Sequence, residues 1–175
     1  MPSLDLGVGG FRELVLRHQT MVYSIALRMV GDTGLAEEIA QDVFFELYKT
    51  QPRLEGEDHL RNWLRRVSAH RSIDQVRRAK VRPIWTAEEY VEEMPVAFST
   101  DEMNVEMAAR LEELLMTLPE SQRAVVTLRY MEEMEPMEIA AMLEMPVATV
   151  RSHLQRALHL ARQKAAVLLR EYVRE

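Results

Sequence analysis

Hydrophobic residues recur at helical spacing along nearly the whole N-terminal half of the chain. The first stripe consists of Phe11, Leu14, Val15, His18, Val22, Ile25 and Met29. The second consists of Leu35, Ile39, Val43 and Leu47, and the third begins with Leu60, Leu64 and Val67. Since no stretch alternates with the period of two that is typical of strands, the pattern predicts three amphipathic helices.

The C-terminal half continues in the same way after an interruption. Apolar residues are scattered between Pro83 and Thr100, where acidic residues repel one another. Helical spacing then returns from Val105 onwards, and Pro119 and Pro136 each fit the first turn of a further helix. We therefore expect an all-α fold of two small helical domains, with boundaries at 1–82 and 105–175, joined by an acidic linker at 83–104.

The segment PMEIAAMLEMPVATVRSHLQRA has the pattern of two short helices joined by a tight turn. Its first part has apolar residues at helical spacing, and Pro146 fits the start of a new helix. In the second helix Val150, Leu154 and Leu158 recur every four residues. The polar residues that lie off this stripe are Thr149, Arg151, Ser152, Gln155 and Arg156. An apolar face with a cationic, hydrogen-bonding face opposite is typical of a DNA-binding helix-turn-helix.

The net charge of −6 is unusual for a DNA-binding protein, but the charge is unevenly distributed. Between Leu60 and Arg82 the basic residues are opposed only by Asp74, and no acid occurs between Glu144 and Glu171. The acids concentrate in the stretch between these two basic segments. Because local potential decides where phosphates bind, this distribution indicates two separate nucleic-acid contacts.

The third predicted helix, LRNWLRRVSAHRSIDQVRRAK, is the more basic of the two segments. Solvated helix faces usually mix both signs of charge, so we favour nucleic-acid binding over a merely solvated basic face. Trp63 could stack on unpaired bases, but its neighbours Leu64 and Val67 favour a place mainly in the core.

The second predicted helix has a polar side that also bears two large aromatic residues. The residues off its buried stripe are Gln41, Asp42, Phe45, Glu46 and Tyr48. Phe45 and Tyr48 either form a protein-binding surface or pack under the first helix, and periodicity does not decide between these alternatives.

Several classes of protein do not fit the sequence. We expect no enzyme, because no pair of acidic residues has the apolar setting of a catalytic pair. We expect no cofactor or metal, because the five histidines lack metal-site spacing and there are no cysteines. With neither a signal peptide nor a membrane span, the expected location is the cytoplasm, without membrane insertion.

Three segments together resemble a known family. LAEEIAQDVFFELYK is similar to its core-binding helix, HLRNWLRRVSAHRSIDQVRR to its promoter −10 segment, and the stretch from Leu118 to Ala157 to its −35-binding domain. The family is that of bacterial RNA polymerase sigma factors of the extracytoplasmic-function (ECF) type, group 4 of the sigma-70 family. The order of the three segments along the chain makes the resemblance highly specific. The resemblance assigns region 2 to residues 1–82 and region 4 to residues 105–175.

The resemblance implies a transcription initiation factor that binds core RNA polymerase, recognises promoters and melts the −10 element. The implied contacts with the polymerase β′ clamp helices are Gln41, Asp42, Phe45, Glu46 and Tyr48. The implied −10 DNA contacts are Arg61, Trp63, Arg65, Arg66, His70, Arg71, Arg77 and Arg78. The implied −35 contacts are Thr149, Arg151, Ser152, His153, Gln155 and Arg156. An apolar face near Leu114, Leu115, Leu118 and Val126 would dock on the β flap, and an anti-sigma factor would hold the protein inactive.

The chain departs from the family pattern at four positions. His70 stands where Asn is usual, and imidazole cannot copy the paired donor and acceptor of an amide on an adenine edge. The family's −10 base preference therefore does not carry over directly. Ala148 stands where Gly is usual before the Thr-Val of the recognition helix. Glu144 stands where Gly often ends the preceding helix, so we expect a less relaxed turn. His153 replaces a common Arg.

Two other kinds of protein remain open from the residues alone. A stand-alone helix-turn-helix regulator would bind palindromic operators without polymerase. An adaptor protein would use its helices only for protein contacts.

Overall fold

The computed structural model describes residues 8–52, 54–81 and 102–172. These ranges contain seven α-helices and no β-strand. The helices are α1 (Val8–Val30), α2 (Thr33–Thr50), α3 (Glu57–Val81), α4 (Glu102–Met116), α5 (Glu120–Tyr130), α6 (Pro136–Met142) and α7 (Val147–Tyr172). The predicted all-α class is confirmed, with three helices before the connector and four after it.

Helices α1, α2 and α3 form the first domain, and their predicted stripes meet in one core. Val22, Leu47 and Leu64 are completely buried there, one from each helix. The turn between α1 and α2 is sharp because Gly31 adopts φ 72°, where a glycine has no steric penalty. Asp32 caps α2 by accepting a hydrogen bond from the Leu35 backbone N–H at 2.7 Å.

Helices α4 to α7 form the second domain, which contains the predicted helix-turn-helix. Pro136 is the first residue of α6, and Glu135 and Glu138 form a reciprocal capping box there. The turn before α7 passes through Glu144 at φ 53°, a left-handed conformation that glycine adopts more readily. The expectation of a less relaxed turn at this residue thus agrees with the backbone geometry.

One part of the predicted α7 stripe is wrong. Val150 and Leu154 are buried as expected, but Leu158 is 39% exposed and Ala157 is buried instead. A spacing of four residues rotates the side chain by about 40° more than one full turn. After two such steps Leu158 has left the buried side, whereas a spacing of seven keeps Ala157 almost in line with Val150.

The two domains pack against each other. Met29 of α1 and Ile73 of α3 belong to the same buried cluster as Leu128 of α5, Ile139 of α6 and Val150 of α7. Burial of this apolar surface favours association of the domains.

A buried arginine reinforces the same junction. Arg123 of α5 donates hydrogen bonds to the backbone oxygens of Met29, Met116 and Leu118, the last two at 2.8 and 3.1 Å. These carbonyls lie at or just beyond the C-terminal ends of α1 and α4, where helices leave carbonyls without a partner. Arg123 therefore ties the end of a first-domain helix to the second domain.

Most of the predicted linker at 83–104 lies outside the described residues. Its last three residues belong to α4, which begins at Glu102. Over the part of the chain that the structure describes, no helix is both long enough and apolar enough to cross a bilayer.

Candidate nucleic-acid interface

Helix α3 presents its cations around the sides that the first-domain core leaves open. Leu60 and Leu64 bury one side of the helix. The cations are Arg61, Arg65, Arg66, Arg71, Arg77, Arg78 and Lys80, and we call them the α3 cations. Arg65 and Arg71 are half-buried, and the others are exposed.

Four of the α3 cations contact acidic side chains of the second domain. Arg65 Nε donates to Glu132 Oε2 at 2.8 Å, and its Nη2 donates to the Glu132 backbone oxygen at 3.2 Å. Arg66 forms an ion pair with Glu144. The remaining two, Arg77 and Lys80, both contact Glu120.

Glu120 opens α5 and faces the last turns of α3. Lys80 Nζ lies 2.6 Å from its Oε2, and Arg77 Nε lies 3.4 Å from its Oε1. The hydrogen bond from Lys80, followed by that from its own backbone N–H, lowers the pKa of Glu120 to about 2. Glu120 is thus ionised at all physiological pH values.

His70 completes the contact between the domains. Its Nε2 lies 3.0 Å from the backbone oxygen of Met142 at the end of α6. Because a carbonyl oxygen only accepts, this ring nitrogen carries the proton. The His70 side chain is therefore engaged by the second domain in this structure.

Arg71 differs from the four α3 cations that contact the second domain because its partners lie within the first domain. Its Nε donates to Glu46 at 3.0 Å and its Nη1 donates to Asp42 at 2.9 Å. Both acids belong to α2 and to the predicted polymerase surface. The structure thus joins one predicted −10 residue to two predicted polymerase contacts.

The remaining predicted −10 residues are Arg61, Arg78 and Trp63. Arg61 lies 3.9 Å from Asp58 at an exposed site, and Arg78 is exposed on the last turns of α3. Trp63 is half-buried against the first-domain core, which supports the expected place mainly in the core.

Two aromatic residues of α2, Phe45 and Tyr48, are exposed to solvent, whereas Phe44 is buried. Phe45 is 64% exposed and Tyr48 is 48% exposed, and the rings of Tyr48 and Phe11 pack edge to face with their centroids 5.3 Å apart. Of the alternatives left open by the sequence, packing under α1 is therefore excluded for Phe45. Gln41 and Asp42 lie beside them at the surface, and Glu46 is half-buried.

The predicted −35 residues occupy the first turns of α7. Arg151, Gln155 and Arg156 are exposed, and Thr149 and Ser152 are partly exposed. We call these five residues the α7 recognition face. The structure brings them together on the outer side of the helix-turn-helix, away from the buried Val150 and Leu154.

His153 has a different environment from its neighbours on α7. Its Nδ1 is buried, and burial followed by the charge of Arg156 lowers the pKa of His153, while a backbone hydrogen bond at Ser121 opposes the shift. The ring is therefore neutral at pH 7 and faces α5 rather than the recognition face.

The apolar face predicted to dock on the polymerase β flap is partly covered by the second domain itself. Leu115 and Leu118 are buried against Ala157 of α7 and are not accessible in this structure. Leu114 and Val126 are half-buried. Sequence periodicity identified the apolar stripe correctly but could not tell that another helix of the same domain covers it.

Sequence reasoning missed the acidic residues that meet the α3 cations. Glu120 and Glu132 were not singled out, and Glu144 was noted only for its place in the turn. The available signal was weak: acids flank α5 and α6, whereas bases dominate α3.

Comparisons with known proteins agree with this geometry. The family description for sigma-70 region 2 matches residues 14–82, and that for sigma-70 region 4 matches residues 108–159. The two matches together span well over half of the chain and correspond to the first and second domains.

Individual proteins show the same relationship. The chain is 25% identical over 164 residues to the ECF RNA polymerase sigma factor SigW of Bacillus subtilis, covering 88% of each chain. It is 30% identical over 177 residues to the ECF sigma factor SigE of Mycolicibacterium smegmatis, covering 99% of this chain and 62% of the relative.

The fold is similar to that of the Bartonella quintana sigma factor RpoE, solved in complex with the anti-sigma factor NepR. The TM-score is 0.70 at 17% identity, over 91% of this chain and 99% of that one. On both domain matches and on these relatives, the chain belongs to the sigma-70 family and is a sigma factor of the extracytoplasmic-function group.

Proposed function

We propose that the chain binds core RNA polymerase, places α7 at the promoter −35 element and uses α3 to hold the melted −10 strand. The observation that carries this proposal is the exposed, cationic α7 recognition face. It lies in a stretch of the sequence, between Glu144 and Glu171, that contains no acidic residue. In this role the chain acts as a DNA-binding regulatory protein in the cytoplasm, without a catalytic step of its own.

The α7 recognition face supports −35 recognition because it combines two exposed guanidinium groups with shorter polar side chains. Arg151 and Arg156 can each contact a guanine edge or a phosphate in the major groove. Loss of a base-edge arginine costs about 1–3 kcal/mol and relaxes specificity at one position, whereas loss of a phosphate contact weakens all sites alike.

Binding of Arg151→Ala and Arg156→Ala to promoter duplexes tests this assignment. We expect weaker binding for both, and Arg162→Ala, at an exposed site further along α7, serves as the control. Unchanged affinity in both recognition-face variants would contradict the groove assignment.

The exposed aromatic residues of α2 support the proposed contact with the β′ clamp helices. Aromatic side chains are enriched at protein interfaces, and Phe45 and Tyr48 are exposed on one side of the first domain. We expect Phe45→Ala to weaken core polymerase binding at least tenfold, about 1.4 kcal/mol. Leu16→Ala, which truncates another exposed apolar residue of the first domain, should leave this affinity unchanged.

For the β flap, we propose the second domain as the docking unit. Since Leu115 and Leu118 are covered, we propose the exposed apolar side chains Leu111, Tyr130 and Met131 for this contact. We expect the Tyr130→Ala variant to bind the isolated β flap more weakly than the parent chain does. Fluorescence titration measures both affinities.

An anti-sigma partner is a further part of the proposal, since NepR is bound to the RpoE relative in its solved complex. Adding such a partner to a mixture of the chain and core polymerase should lower promoter-dependent transcription, and removing the partner should restore that transcription.

Reconstituted transcription tests the function as a whole. Purified chain added to core polymerase should yield transcripts from specific promoters in a library of genomic fragments. Binding to palindromic operators without polymerase would favour a stand-alone regulator. Absence of any promoter-dependent transcript would overturn the proposal.

A further inference from the structure

We propose that His18 is a positioning residue for the proposed −10 contact. Through a buried contact with Glu57 it fixes the start of α3, the helix whose first two turns carry Arg61 and Trp63. This inference rests on the proposed function and adds to it a residue that is buried in the first domain.

His18 is a polar residue within the apolar stripe of α1. It is only 5% exposed, and its Nε2 lies 2.7 Å from Oε1 of Glu57. Nε2 has no other hydrogen-bonding partner among the residues that the structure describes. Because a carboxylate oxygen accepts and does not donate, this contact places the imidazole proton on Nε2. His18 is therefore directed at a single group, the side chain of the first residue of α3.

Core packing alone does not account for a histidine at this position. Val22, Ile25 and Met29 continue the same stripe with apolar side chains, and a leucine would fill the site of His18 with less loss of hydration. Burial of an imidazole beside a carboxylate is tolerated only in an arrangement that pairs the two groups. Since few placements of α3 against α1 satisfy both groups, the pair favours one of them.

Glu57 does more than stabilise the N-terminus of a helix. Acidic residues in the first turn interact favourably with the helix dipole, and Asp58 is placed to do so from the surface. Glu57 instead turns inward, with its side chain 35% exposed against 90% for Asp58. Its second oxygen, Oε2, lies 3.4 Å from Nη1 of Arg17 on α1. Both oxygens of Glu57 are therefore directed at α1.

The backbone before α3 leaves the position of the helix open. Gly56 adopts φ 100°, a conformation that favours glycine, and α3 starts at the next residue. Because glycine has the greatest backbone freedom, this joint does not by itself set the direction of the helix. Leu60 anchors α3 one turn later, where its side chain is buried and its N–H donates to the Gly56 oxygen at 3.2 Å. The contact with His18 supplies a second anchor at the helix start.

The anchored turn lies next to two of the proposed DNA contacts. Arg61 follows Glu57 by four residues and is exposed, and Trp63 is half-buried two residues further along. Groups that form a binding site must be held within about 0.5 Å of their working positions. Displacement of the helix start would therefore misplace both side chains.

Amide hydrogen exchange of the full chain, resolved by NMR, tests the anchor itself. His18→Leu keeps an apolar side chain in the core but removes the donor to Glu57. We expect exchange at the Leu60 and Arg61 amides to rise about tenfold, because the first turn of α3 opens more often. His18→Gln has an amide nitrogen that can donate to the same oxygen, so exchange should return to within about threefold of the parent chain.

Two control variants separate the anchor from other effects. Val22 is completely buried in the same core, so Val22→Ala destabilises the first domain but keeps the pair of His18 and Glu57. Arg17→Gln removes only the surface contact with Glu57, and exposed ion pairs contribute little. Both controls should change the exchange rate at Leu60 by less than about twofold.

Promoter opening by the reconstituted polymerase tests the role in DNA binding. The template is a genomic fragment that the parent chain transcribes with core polymerase, and permanganate modification reports unpaired thymines in the −10 element. We expect His18→Leu to lower opening about tenfold and His18→Gln to restore most of it, with both controls close to the parent chain. Protection of the −35 element should not change in any variant, because α7 carries that contact.

The outcomes separate this inference from the proposed function. Equal opening by His18→Leu and Val22→Ala would overturn the positioning role, and so would a failure of His18→Gln to restore either readout. If the parent chain gives specific transcripts in those cases, the proposed function stands without this role for His18. If the parent chain gives no promoter-dependent transcript, the proposed function fails, and the DNA role of His18 fails with it even where the exchange rates change as expected.

Discussion

Arg123 is the residue whose loss should most clearly reveal what holds the second domain to the first. Arg123→Ala removes the donors to the backbone oxygens of Met29, Met116 and Leu118. Each abandoned buried carbonyl costs about 1–3 kcal/mol. The lower end applies here because water can enter the space that the side chain vacates. In addition, the variant no longer has to desolvate a cation, a cost that is visible in the way burial lowers the pKa of Arg123.

The expected loss in free energy of unfolding is therefore about 3 kcal/mol, at about 1 kcal/mol per carbonyl. For a chain of this size that corresponds to a fall in melting temperature of about 6–12 °C. Urea and thermal unfolding followed by far-ultraviolet circular dichroism measure both quantities. Arg123→Lys should recover only part of the loss, because one ammonium group cannot span carbonyls on two helices.

Arg129→Ala is the matched control on the same helix. Arg129 donates to the Met134 backbone oxygen and to Glu135, but its side chain is 32% exposed, so we expect a loss of about 1 kcal/mol or less. If Arg123→Ala unfolds within 1 kcal/mol of the parent chain, the three carbonyls are satisfied in another way and the reasoning is wrong.

Three further predictions, the second with a control variant, use the same unfolding measurement. Glu120→Gln should cost about 1 kcal/mol at pH 7, and the difference should vanish as the pH falls from about 4.5 to about 2, because a carboxyl with a lowered folded-state pKa stabilises only while ionised. Gly31→Ala should destabilise by about 1–2 kcal/mol, since φ is 72° and the new Cβ would lie 2.6 Å from Met116 Sδ. Gly9→Ala, in open space within α1, should instead stabilise by about 0.5–1 kcal/mol. Glu133→Gly should stabilise by about 0.5 kcal/mol by relieving φ 54°.

Each of these has an outcome that would contradict it. A loss for Glu120→Gln that persists at pH 2 would mean that its charge is not the cause. A stable Gly31→Ala variant would mean that Met116 and the turn adapt freely. Destabilisation by Glu133→Gly would show that the loop after α5 depends on that side chain.

The order and type of the helices could be predicted because they depend on local spacing. Asp32 before α2 and Pro136 at the start of α6 act through neighbours a few residues away, so their roles are visible in the sequence. The α7 recognition face could be located for the same reason: a helical period separates Val150 from Arg151 whatever the domain packs against.

The partners of the α3 cations could not be predicted in this way. Arg65 and Glu132 are 67 residues apart, and Arg66 and Glu144 are 78 residues apart. Charged residues on two surfaces can pair in many registers, and local spacing favours none of them. The choice follows from the apolar cluster that joins Met29 and Ile73 to the second domain.

The sequence alone thus determined an all-helical chain with two basic segments, because periodicity and charge are properties of neighbouring residues. Tertiary structure decided which of those basic residues pair with acidic side chains of the second domain. It also decided that Arg123, whose position in α5 indicates no special role, is buried and links the ends of α1 and α4. The physical reason is that burial and ion pairing depend on distances through space, which are set only when the helices pack.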